Sequence, residues 1–378
     1  MFEQTKALCR HFLDMGIPCF DLIVYKDGEC ILRHMGGYAD PENSVPIKGD
    51  EKYHIYSCSK LITCVAAMQL WEKGMFSLED DLSDYLPAYA NMTVKTENGI
   101  QRAKNPIKIK HLFQMTSGLS YDMHSPVLEE YYRIPGNNCP TVETVNMFAK
   151  NPLEFEPGEG WKYSFAHDVL GALVEVLSGE KFEDYIDAHI FAPLGMKHST
   201  FLHPIEDWEG FANQYEYSAK TGEYRRAYRF WCHIGREFAG GGGGCISTVD
   251  DYIKFLEALR LGDVILKKET IALMATNHLN EQQHAMYEGR SHSGGYGLGM
   301  RTPYLDPELT DFGWGGAAGA YASVDSVNGL SIFYCQHVLC APNMHLREWL
   351  YRTVLGDLKG ETVNVPIDSD DTNPRLTY

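Results

Sequence analysis

No C-x-x-C pair occurs among the ten cysteines, which are scattered from Cys9 to Cys340. That spacing fits neither a zinc site nor a disulfide framework and predicts reduced thiols in a cytoplasmic protein. No apolar run approaches the roughly 18 residues that a membrane-spanning helix needs. Met1-Phe2-Glu3-Gln4 lacks a basic segment leading into an apolar one, so an unexported chain is expected. Positive charge is scarce: 33 Lys and Arg stand against 51 Asp and Glu, a net charge of −18. Such a chain repels a phosphate backbone and an anionic lipid surface, which excludes nucleic acid and membrane as partners. No internal repeat is present. The expected cofactor and metal complement is none, and nothing in the sequence sets an oligomeric state.

What is present is the composition of an ordinary globular protein, with 44% hydrophobic and 12% aromatic residues over 378 positions. That length accommodates two domains, or one large one with an inserted lobe. Phe20–Tyr25 and Cys30–His34 flank Asp27-Gly28, a strong hairpin signal. A second pair, Tyr321–Val324 and Leu330–Tyr334, flanks Asn328-Gly329. Strands at both ends with helical patterns between them predict one antiparallel sheet closed by the two termini. Helical spacing runs from Val169 to Leu177 and stops at Gly179, and again from Thr248 to Leu256 with Ser247 or Thr248 as N-cap. The polar, proline-containing segment after Lys359 reads as a frayed tail.

The chemistry concentrates at Ser57-Cys58-Ser59-Lys60, where an apolar helical pattern begins that continues through Val65, Met68, Leu70 and Trp71 to Gly74. Residues i and i+3 share a helix face, so Lys60 can reach the Ser57 hydroxyl. A helix start adds unpaired N–H groups and the positive end of the dipole. This is the layout of a serine hydrolase that forms an acyl-enzyme. The tetrad alone is not specific. It recurs as Ser178-Gly179-Glu180-Lys181, where Gly179 reads as a C-cap that takes the pair off one face.

Context adds the specificity. In order along the chain come Gly36-Gly37-Tyr38-Ala39-Asp40, the Ser57 tetrad, Gln69–Gly74, Leu78–Asp81, Tyr85-Leu86-Pro87, His111–Leu119, Phe155–Gly158, Tyr163-Ser164, Pro193–Met196, Gly240–Gly244 and Phe312–Gly316. Over residues 17–358 this set resembles the serine β-lactamase and penicillin-binding-protein-like superfamily, closest to class C β-lactamases and family VIII carboxylesterases. The resemblance implies an α/β sandwich domain from residues 1–75 and 290–360, a mostly helical domain over 76–289, and a polar tail over 361–378. It places the active site at the junction of the two domains.

The resemblance also implies a second motif, Tyr-x-Asn, which falls on Tyr163-Ser164-Phe165 with phenylalanine in place of asparagine. The third motif falls on Trp314-Gly315-Gly316. Ser57 is then the nucleophile, with Lys60 or Tyr163 as the base that activates it; the sequence leaves open which. The Ser57 and Ala317 backbone N–H groups are the implied oxyanion donors, and Tyr121, Phe165, Trp314, Gly315 and Gly316 the implied substrate pocket. Aromatic rings at 165 and 314 remove anchors for an anionic, amide-bearing ligand and predict small to medium uncharged esters. Family VIII esterases share Trp-Gly-Gly and the Tyr-Ser-x-x-x-Asp-Val-Leu-Gly form found at Tyr163–Gly171.

Alternatives are a broad β-lactamase or D-amino-acid peptidase acting on amides, an acyltransferase using the same acyl-enzyme, and an inactive binding or sensor module. His111, His167 and Asp168 invite a Ser-His-Asp triad, but the chain has no G-x-S-x-G elbow to host one, so the histidines read as structural. The 240–244 glycine run lacks a following Lys-Ser/Thr and reads as a flexible active-site wall.

Overall fold

Asp27 and Gly28 adopt φ of 51° and 90°, the pair of positive values that a tight two-residue hairpin turn demands. They join strands Cys19–Lys26 and Glu29–Asp40. A computed structural model of the chain describes residues 1–204, 206–228, 230, 234–287, 294–303 and 309–367. Its main sheet has eight antiparallel strands in the spatial order Gly294–Tyr296, Arg301–Pro303, Phe312–Gly315, Tyr321–Asp325, Leu330–Cys335, Cys19–Lys26, Glu29–Asp40, Val45–Pro46. Strand Cys19–Lys26, from the start of the chain, pairs with Leu330–Cys335, from near its end. Ile23 lies opposite Phe333, so the two ends close one sheet.

Alternation along these central strands divides the core. Leu22, Val24, Ile332 and Tyr334 pack with Phe12 of helix Glu3–Asp14 and Leu350 of helix Trp349–Lys359. Ile23 and Phe333 point to the other face, where Phe333 stacks on Tyr252 of helix Val249–Leu261 at 4.2 Å between ring centroids. Thr248 caps that helix by accepting the Asp251 N–H. The helix lies within the 76–289 segment expected to form the helical domain, yet it packs on the sheet. Helices Ile109–Phe113, Pro126–Tyr132, Thr141–Phe148 and Ala166–Ser178 form the helical part, and the last ends at Gly179 with φ 75°.

The segment after Lys359 does not fray at once. Gln4 donates to the Glu361 carbonyl and accepts from the Val363 N–H, while Asp357 takes the Thr5 N–H and hydroxyl. These bonds tie both termini to one face of the sheet. Residues 368–378 of the expected tail lie outside the described residues. No described helix is long and apolar enough to cross a membrane. All described cysteines are unpaired.

Buried histidines set a pH dependence. His337 takes the His54 N–H on Nε2, and its Nδ1 lies 2.8 Å from the Ala212 carbonyl, which fixes the neutral tautomer with Nδ1 as donor. Burial pushes its pKa down to about 4. A depressed folded-state pKa gives stability that is complete above the unfolded value of about 6.5 and is lost as pH falls toward 4. His337→Gln is therefore expected to flatten the acid limb of stability between pH 6.5 and 4 by up to about 1.4 kcal/mol per pH unit. Urea titrations at several pH values check this; parallel limbs in variant and wild type would refute it.

Candidate active site

Ser57 does not open an α-helix, as its sequence setting predicts, but lies in a 3₁₀ turn, Tyr56–Cys58, that feeds the α-helix Ser59–Glu72. The reason is Tyr56, whose φ of 48° is left-handed, a conformation an L-tyrosine holds only when its surroundings impose it. Its hydroxyl donates to Gln214 at 2.8 Å, and its carbonyl takes the Ser59 hydroxyl. Because a 3₁₀ turn also stacks i over i+3, Lys60 still reaches Ser57.

The helix Ser59–Glu72 is buried nearly all round, so Lys60 enters the interior with it and has no solvent exposure. Lys60 Nζ lies 3.3 Å from Ser57 Oγ and also donates to the Gly242 carbonyl. A second donor reaches the same hydroxyl from another element: Tyr163 Oη is 2.6 Å from Ser57 Oγ. Tyr163 comes from the stretch just before helix Ala166–Ser178, which packs against the helix carrying Lys60. The ammonium stands 4.5 Å from the centre of the Tyr163 ring. Trp314 donates its indole N–H to the Tyr163 oxygen at 3.4 Å, and the two rings stack within 15° of parallel. The structure thus brings Ser57, Lys60, Tyr163 and Trp314 into one cluster.

Of the remaining expected pocket residues, Tyr121 and Gly315 are half-buried beside it, and Gly316 and Ala317 are buried. Tyr121 lies 5.6 Å from the Tyr163 ring. Phe165 departs from the expected role of a free pocket wall. It is only 4% exposed, held in a stack between Tyr121 at 4.7 Å and Phe148 at 4.2 Å, so it backs Tyr121 instead. Gly316 is required by proximity: a Cβ there would meet the Ile55 carbonyl at 2.3 Å, where strand Phe312–Gly315 runs past the Ser57 turn. Among the described residues no protein acceptor takes the Ala317 N–H.

The glycine run 240–244 is a buried turn, not a flexible wall. A Cβ at Gly241 would fall 2.5 Å from the His167 carbonyl, and one at Gly242 2.4 Å from Asp168 Oδ2. Side chains are excluded by contact. Asp168 accepts the Gly242 N–H at 3.0 Å, and so holds the peptide segment whose carbonyl receives Lys60. Burial raises the Asp168 pKa to about 6 against the opposing pull of Lys60.

His167 lies against Cys64 and the Phe113 carbonyl, and burial pushes its pKa down to about 3. His111 accepts the Lys108 N–H at the start of its own helix. Neither forms a triad with Ser57. Gly242, from the glycine run expected as an active-site wall, supplies the carbonyl that receives Lys60, while Asp168, Phe148 and Arg347, none of them expected there from sequence, stand behind the Gly242, Phe165 and Gly316 positions. The glycine run and Asp168 carried a signal, whereas Phe148 and Arg347 carried none. Among the described residues no cluster of His, Cys, Asp or Glu could hold a metal ion.

An antiparallel sheet built from both termini, an inserted helical region and a Ser-x-x-Lys turn between them define a β-lactamase-type fold. The chain belongs to the Beta-lactamase family, whose model matches residues 5–339. Esterase EstB of Burkholderia gladioli is 28% identical over 340 residues, covering 82% of this chain and 83% of that protein. The simvastatin synthase LovD6 mutant of Aspergillus terreus superposes with a TM-score of 0.75 at 26% identity, over 93% of this chain and 94% of that one. EstCE1, described as a hydrolase with promiscuous acyltransferase activity, gives a TM-score of 0.79 over 94% and 98% of the two chains; at 24% identity it bears on the fold alone. ML-236A carboxylate methylbutanoyltransferase mlcH of Penicillium citrinum is 30% identical over 239 residues, 61% of this chain and 57% of that protein, so the family is one of β-lactamase-fold serine hydrolases with esterase and acyltransferase relatives.

Proposed function

We propose that this protein hydrolyses small to medium uncharged carboxylic esters through a Ser57 acyl-enzyme. The observation that carries the reading is the pair of contacts on one hydroxyl: Tyr163 Oη at 2.6 Å and Lys60 Nζ at 3.3 Å from Ser57 Oγ. In the forward step Oγ bonds to the ester carbonyl carbon and its proton passes to the phenol oxygen, the nearer of the two groups. Lys60 over the ring and the Trp314 indole N–H favour negative charge on that oxygen before it takes the proton. The Ser57 and Ala317 N–H groups receive the oxyanion. As the tetrahedral species collapses, the carbon–alcohol bond breaks and the proton is returned to the departing alkoxide. Water then repeats the sequence and releases the acid.

The ester preference rests on Tyr121 and Trp314 as the rings with exposed surface beside Ser57, backed by Phe165 where the related motif has asparagine. Acyl transfer is a second reading, favoured by the burial of Ser57, only 5% exposed, which limits water, and by the likeness to the methylbutanoyltransferase mlcH.

Intact mass spectrometry after treatment with a p-nitrophenyl ester is expected to show one acyl adduct, mapping to the peptide that contains Ser57. Turnover across p-nitrophenyl esters, cephalosporins and D-amino-acid amides is expected to favour esters by about 100-fold or more, the scale of losing one anchoring polar contact. Cephalosporin turnover equal to ester turnover would overturn the ester assignment. Added alcohol that diverts the acyl group into a new ester would establish transfer.

A further inference from the structure

Arg347 is 7% exposed, yet among the described residues no carboxylate pairs with it. Its guanidinium is held by backbone carbonyls. Nη1 donates to Gly316 at 2.8 Å and to Ala320 at 2.7 Å, and Nε donates to Met344 at 3.3 Å. A buried cation satisfied by neutral dipoles alone is a costly arrangement for simple packing. Its location gives the arrangement a use.

The Gly316 carbonyl and the Ala317 N–H are the two ends of one planar peptide group. A donor that fixes the carbonyl therefore fixes the direction of the N–H. A positive charge on the oxygen side also draws electron density from the nitrogen and strengthens the N–H as a donor. The same carbonyl accepts the Gly319 N–H at 3.0 Å, closing the turn that presents Ala317. Gly315 leaves room for the guanidinium: a Cβ there would approach both terminal nitrogens of Arg347 within 3.3 Å.

We propose that Arg347 is a positioning residue for the oxyanion hole, orienting and polarising the Gly316–Ala317 peptide through its carbonyl. This rests on the reading above that Ala317 supplies the second oxyanion donor. Arg347 touches no reacting atom. Its contribution is made before the reaction, as preorganisation of a dipole toward charge that appears only in the transition state.

The test compares wild type with Arg347→Met and Arg347→Lys, using stopped-flow acylation by a p-nitrophenyl ester and isotope-edited infrared spectra of a slowly deacylating ¹³C-carbonyl acyl-enzyme. Arg347→Met is expected to slow acylation by about 10- to 100-fold, less than the loss of a whole oxyanion donor, with the apparent substrate affinity unchanged. Lysine keeps the charge but lacks the second nitrogen that donates to the Met344 carbonyl and the planar group that fixes the direction of Nη1, so it is expected to recover only part of the rate. Methylguanidinium is expected to rescue Arg347→Met toward the wild-type rate. In the spectra, the wild-type acyl carbonyl should absorb below the same ester in water and move upward in both variants.

Variants that retain the wild-type stretch and acylation rate would overturn the role of Arg347 while leaving the Ser57 mechanism intact. An unshifted carbonyl in the acylated wild type would instead refute Ala317 as donor, and the role of Arg347 with it. Should Arg347→Met fail to fold by circular dichroism, the Arg347→Lys spectrum and rate decide the question.

Discussion

Ser57→Ala is expected to lower kcat/KM for a p-nitrophenyl ester by about 10⁴-fold or more and to abolish the acyl adduct. No neighbour can replace the lost oxygen. Cys58 is the adjacent side chain, but it is fully buried and burial pushes its thiol up to about 12, leaving almost no thiolate at neutral pH. Cys64 and Cys245 are equally buried and displaced in the same direction. The fold should survive, because alanine removes only an oxygen bonded by Lys60 and Tyr163, and Lys60 keeps its bond to the Gly242 carbonyl. Steady-state kinetics with intact mass spectrometry give the answer: an equal adduct in variant and wild type would place the nucleophile elsewhere.

Lys60→Met should cost about 10³-fold in acylation, within the range that proton-transfer groups contribute, with a smaller effect on substrate affinity. Methionine matches the length of the aliphatic stem, so packing in the Ser59–Glu72 helix is largely kept. What disappears is the charge that stands over Tyr163 and touches Ser57. The same charge pulls the Asp168 pKa down, so its removal should move that buried carboxyl further upward from about 6. The two readouts are separable: a burst-phase acylation rate reports the chemistry, and the carbonyl band of Asp168 followed by infrared against pH reports the electrostatics. An acylation rate within tenfold of wild type would remove Lys60 from the activation of Tyr163 and Ser57.

Both results depend on contacts the sequence did not display equally. Ser57 and Lys60 are three residues apart, so their approach follows from helical geometry and was legible in either a 3₁₀ or an α setting. The 3₁₀ turn was not, because it follows from a left-handed Tyr56 pinned by Gln214, a residue 158 positions away. Phe165 illustrates the limit differently. Its identity as an aromatic where a family motif has asparagine was plain, but its placement between Tyr121 and Phe148 arises from two separate loops and a helix meeting. The glycine run reads as mobile from composition alone, whereas that composition answers crowding by Asp168 and the His167 backbone.

The chain by itself determined the turns and caps, such as Asp27-Gly28, Thr248 and Gly179, and the order of motifs that marks its family. These signals act over a few residues, through φ preference, hydrogen-bond capping and side-chain period. Only the tertiary structure decided that Tyr163 meets Ser57 across 106 residues, that Gly242 meets Lys60 across 182, and that Arg347 lies behind the Ala317 peptide. Those meetings depend on which surfaces pack together once water is excluded, and no local pattern encodes them.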